Sequence, residues 1–94
     1  MSENKDGAVF LPPGRAVAGS RIAIIHPFIA GVAESVSGVR FKSGQEIDVD
    51  IESKHGDIAT VILPEEPAAY IVYLILRSTR EPEEVGRYIV DEKR

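Results

Sequence analysis

Residues 46–52 read Glu-Ile-Asp-Val-Asp-Ile-Glu, and no other stretch of the chain restricts the fold so tightly. Ile47, Val49 and Ile51 alternate with Glu46, Asp48, Asp50 and Glu52. A period of two puts every apolar residue on one face of a strand and every acid on the other, whereas a helix would mix them around its circumference. One buried face and one wet face is the mark of an antiparallel strand. The preceding Val39–Lys42 and the Ser43-Gly44 pair complete a hairpin, because Gly at the turn supplies the positive φ that tight connections need.

The choice of apolar residues extends the β reading to the whole chain. Eleven Ile and ten Val stand against four Leu. β-Branched side chains lose rotamer freedom in a helix and pack well on a pleated surface. Further short strands are expected at 8–11, 21–26, 58–63 and 87–91, bounded by Pro12-Pro13-Gly14, Pro27, Gly56 and Pro64. Residues 15–18 are ambiguous, and Ser53 to Gly56 reads as a polar turn. Pro82, followed by Glu83 and Glu84, suits a single helical turn that Gly86 breaks. Two segments are open to either period: 28–37, read as strand, and 68–77, apolar on both faces and read as a central strand. The expectation is an all-β fold, a small antiparallel β-sandwich of about seven short strands, with turn signals about every ten residues. The alternatives are a small β-barrel, or an α+β fold if 28–37 and 68–77 are helical. Residues 1–7 are polar and read as a disordered tail, leaving 8–94 as a single β-rich domain.

Thr60-Val-Ile-Leu-Pro64, a short loop, and then Tyr70-Ile-Val-Tyr-Leu-Ile-Leu76 form a pattern with a counterpart elsewhere. It resembles the passage into the penultimate strand of fibronectin type III and immunoglobulin-like β-sandwich domains. There a Leu and a Pro precede a Tyr that opens an alternating strand and caps the corner with its hydroxyl. Glu84-Val-Gly-Arg-Tyr88-Ile-Val90 is similar to the immunoglobulin tyrosine corner as well, with Val90 where antibody domains have Cys. The resemblance implies a sandwich with Tyr70 or Tyr88 as a structural corner. The chain departs from the pattern in having no Trp for the inter-sheet core and in spacing Leu63 seven residues before Tyr70.

Several function classes lose ground at this stage. The absence of Cys removes disulfides, thiolate metal sites and cysteine nucleophiles. No Gly-x-Ser-x-Gly and no phosphate-binding Gly-rich loop is present. Catalysis by the chain alone is therefore not expected, and no cofactor is implied. Net charge is −4, with residues 48–94 carrying eleven acids against six bases, which disfavours broad binding to a phosphate backbone. The polar N-terminus lacks the apolar core of a secretory signal, and no apolar run approaches ~20 residues, so a cytoplasmic location is expected. One Asn, one Gln and a single Met fit a thermophilic source.

Three readings follow. The first is a non-catalytic protein-interaction or scaffolding module that self-associates into a homo-oligomer through its sheet edges, since open edges invite pairing and a small core gains from added burial. The second is a small β-barrel that binds nucleic acid through Arg21, Arg40, Phe41 and Lys42, by charge and base stacking. The third is an accessory subunit of a metal-dependent enzyme, with Asp48 and Asp50 as oxygen ligands on one strand face. His26 and His55 have no ligand partner at short spacing and do not form a local metal motif.

Overall fold

A computed structural model describes residues 8–26, 29, 36–76 and 82–93. The described residues form nine strands: β1 (Val9–Leu11), β2 (Arg15–Val17), β3 (Arg21–Ile25), β4 (Val36–Ser43), β5 (Gln45–Val49), β6 (Ser53–His55), β7 (Ile58–Ile62), β8 (Ala68–Leu76) and β9 (Glu83–Asp91). A four-stranded sheet has the order β1-β3-β7-β6, and a five-stranded sheet the order β2-β9-β8-β4-β5. Both sheets have free ends rather than closing on themselves, so the barrel alternative is set aside in favour of a two-sheet sandwich. The 68–77 segment is strand over Ala68–Leu76, and the α+β alternative fails there. Of 28–37, only Ile29, Val36 and Ser37 lie within the described residues; the last two open β4. The expected tail at 1–7 lies outside them.

Alternation builds the core. Phe10, Ile22, Ile24, Ala59 and Val61 point inward from the smaller sheet. Val39, Phe41, Val72, Leu74, Val85, Tyr88 and Val90 point inward from the larger one. Ile47, Val49 and Ile51 lie at its margin, half-buried, as their alternation requires. The β4–β5 hairpin turns at Gly44, whose φ of 80° lies in the left-handed region open to glycine.

The structure differs from the sequence reading in several places, one being that β5 ends at Val49 and leaves Asp50, Ile51 and Glu52 of the alternating stretch outside the strand. Nine strands are present where about seven were expected; the additions include β2 and β6, three residues each and too short to display a period. Ser53–His55 is thus a strand paired with β7, and the turn falls after it, at Gly56. Glu83 and Glu84 belong to β9 instead of a helical turn, because β8 offers them a ladder partner: Leu74 faces Glu83 and Tyr73 faces Glu84, with a register shift between Val72 and Tyr73. One pairing is parallel, β2 alongside β9, in an otherwise antiparallel structure.

Two tyrosines tie chain corners to the core. Tyr70, at the start of β8, donates its hydroxyl to the Glu66 carbonyl at 2.5 Å, across the β7–β8 connection. Tyr88 donates to the Pro12 carbonyl, between β1 and β2. Burial, followed by the nearby Glu66 or Asp91 charge, raises both phenols above their ordinary pKa, so both stay protonated as donors. Phe41 packs edge-on against Tyr70 with centroids 5.7 Å apart, and Phe10 against Tyr88 at 5.3 Å. Replacing Tyr70 by Phe keeps the ring and removes a part-buried hydrogen bond to an exposed residue, so urea unfolding should show a loss of about 0.5–1.5 kcal/mol. A loss below ~0.5 kcal/mol would show that the corner bond is not stabilising.

Candidate interaction surfaces

The charges singled out in the sequence do not converge. Arg40 and Lys42 lie on the outer face of β4, opposite Asp48 and Glu46 on β5. The Arg40 guanidinium donates to Asp48 Oδ1 at 2.7 Å and reaches Glu46 at 3.5 Å, while Lys42 Nζ is 3.9 Å from Glu46. Arg21 belongs to the other sheet, where it forms a two-point pair with Glu52. Phe41 is fully buried between the sheets and presents no ring to a base. The four residues of the nucleic-acid reading therefore occupy two outer faces and the core, and each of the three cations already faces a carboxylate.

The metal reading meets a similar geometry. Asp48 is engaged by Arg40, whose hydrogen bond holds the carboxyl below its ordinary pKa. Asp50 lies just past the end of β5 on the same side. His26 is buried, its backbone N–H donating to the Asp57 carbonyl at 3.0 Å, whereas His55 is exposed on β6. Among the described residues, no three His, Asp or Glu side chains come together as metal ligands. Arg15 and Asp91 form a further two-point pair between β2 and β9, beside a shallow groove lined by Val17, Asp91, Glu92 and Lys93.

The outer face of the four-stranded sheet is different in kind. Register aligns Val9, Ile25, Ile58 and His55 in one row and Leu11, Ala23, Thr60 and Ser53 in the next. Val9, Leu11, Ile58 and Ile62 are among the large apolar side chains left exposed, between 36 % and 48 % accessible. The first two rows carry no Lys, Arg, Asp or Glu, and the Arg21–Glu52 pair stands at one end. A sheet face turned to water ordinarily carries polar residues at these positions. Sequence reading missed this patch because its residues are spread over β1, β3 and β7 and only strand order assembles them; the signal in the chain was the poverty of polar residues at 21–25 and 58–62.

Among the described residues, no helix is long and apolar enough to cross a membrane. Comparison with models of known protein families and with curated proteins yields no match to this chain.

Asp48, Glu52 and Asp91 are each held below their ordinary pKa by an arginine hydrogen bond. A depressed carboxylate contributes stability that is present above its unfolded pKa, near 4, and lost as pH falls through the lower folded value. All three are largely exposed, so solvent screening keeps each effect small. Urea midpoints should fall as pH drops below about 4, and Asp48→Asn should show a shallower fall than the parent chain. Identical pH profiles for the two would show that Arg40 does not stabilise the Asp48 anion.

Proposed function

We propose that this chain is a non-catalytic protein-interaction module with an immunoglobulin-like layout that associates with itself. The observation that carries the reading is the exposed apolar face built by Val9, Leu11, Ile58 and Ile62. Such a face costs free energy in water and is relieved by covering it. The layout is supported by a split of consecutive strands between two sheets and by the Tyr70 hydroxyl reaching back to the carbonyl of Glu66, as the family's corner tyrosine does.

Relative to the sequence expectation, the proposal moves self-association from sheet edges toward this face. Three of the four edge strands, β1, β2 and β6, have only three residues, which blunts an edge. The four-stranded sheet holds sixteen strand residues. At about 16 Å² each, from strand rise and spacing, the flat footprint is about 250 Å². That is about a third of the ~800 Å² per partner typical of stable complexes, so self-association is weak and concentration-dependent.

Sedimentation equilibrium tests the proposal. The parent chain should rise above its 10.2 kDa mass as concentration increases. Ile58→Lys places a charge in the middle of the patch and should hold the chain at single-chain mass at least ten-fold higher in concentration, with its unfolding midpoint little changed. A parent chain that stays monomeric at millimolar concentration, or an Ile58→Lys variant that associates equally well, would overturn it.

A further inference from the structure

Among the described residues, the β5 strand has a neighbour on one side only. Its five residues pair with β4, and its other edge is the open end of the five-stranded sheet. It is the longest of the four edge strands. Glu46 and Asp48 project to the outer face with Asp50 beyond them, while Ile47 and Val49 project inward and are only half-buried. The backbone groups of β5 that point away from β4 meet no strand among the described residues.

The occupied side of β5 displays what this strand selects. There β4 presents Arg40, Phe41 and Lys42 against Asp48, Ile47 and Glu46. Cation faces carboxylate on the outside, and apolar faces apolar on the inside. Strand side chains interact with both lateral neighbours, so the open side of β5 offers a second incoming strand the same pattern. Asp50, with no ion-pair partner among the described residues, adds a carboxylate that β4 does not answer, because Gly38 brings no side chain. A second copy does not fit by edge-to-edge two-fold pairing. Antiparallel β5 strands would set Glu46, Asp48 and Asp50 of one copy against the same acids of the other, and like charges in cross-strand positions repel.

We infer that the β5 edge accepts an extended segment of a different protein, one in which Lys or Arg alternates with β-branched apolar residues, added as a sixth strand to the sheet. Main-chain hydrogen bonds supply the ladder, and alternation of cation and apolar residue sets the register. The inference rests on the interaction reading above but uses a separate surface from the apolar face.

The test is an isotope-edited NMR titration of the whole chain with a capped peptide, Lys-Val-Lys-Ile-Lys-Val-Lys. Saturable shifts should concentrate on Gln45–Val49. In a strand, alternate N–H groups point to the same side, so two N-methylated versions, one at the lysines and one at the apolar residues, are compared. At least one should bind ten-fold more weakly or worse. Asp50→Lys should weaken the parent peptide about three-fold, and a Glu-for-Lys peptide should not bind. Absence of saturable shifts at millimolar peptide would overturn the inference and leave the acidic strand as a guard against edge aggregation. Binding by both N-methylated versions as tight as that of the unmethylated peptide would also overturn it, since that is charge adsorption without a ladder. Loss of peptide binding with intact self-association leaves the module reading standing; loss of both removes both.

Discussion

A run of aromatic contacts links β4, β8 and β9 of the larger sheet to β1 of the smaller one. Phe41 of β4 meets Tyr70 of β8 edge-on; Tyr70 lies opposite Tyr88 of β9; Tyr88 meets Phe10 of β1 in the other sheet. Each tyrosine also fastens a loop through its hydroxyl, to Glu66 or to Pro12. Removing any ring would open a cavity that the surrounding Ile and Val, stiff at the β-carbon, are poorly able to fill. Within the run, Phe10–Tyr88 joins the two sheets, and the other contacts tie β4, β8 and β9 together within the larger one.

Charge distribution shapes what the surface can recognise. The three arginines Arg15, Arg21 and Arg40 each grip a carboxylate from a neighbouring strand or connection. Such pairs contribute little stability one by one. Their effect is to leave few cations for a phosphate backbone, while Glu46 and Asp48 of β5 together with the following Asp50 outnumber the facing Arg40 and Lys42. The surface is therefore divided into an uncharged apolar face on one sheet and an acid-lined margin on the other, two chemistries suited to two kinds of contact.

Much of the fold was legible because it depends on local alternation. The alternation at 46–52 declared a strand, of which β5 keeps the part up to Val49, and Tyr70–Leu76, apolar on both sides, declared a central one. The short strands β2 and β6 were not legible: three residues carry no period, and both exist because a neighbour supplies hydrogen bonds. The same reason explains Glu83 and Glu84, whose local preference for a helix start yields to pairing with β8. Phe41 was readable as core from alternation alone. The ion-pair partners of Arg21 and Arg40 were not equally readable: Arg40 and Asp48 share a hairpin, whereas Arg21 finds Glu52 only through the order of strands. The apolar face was the least legible, since each strand contributes only a few of its residues.

The parallel pairing of β2 with β9 sets how the sandwich would bear tension. The N-terminal segment and the final strand run side by side in the same direction, with Arg15 beside Ile89 and Val17 beside Asp91. Pulling the two ends apart along the strands loads this contact in shear, so its hydrogen bonds and the Arg15–Asp91 pair must yield together rather than one after another. An antiparallel pairing at the same place would peel. The chain is thus closed by a short clasp whose resistance depends on the direction of force.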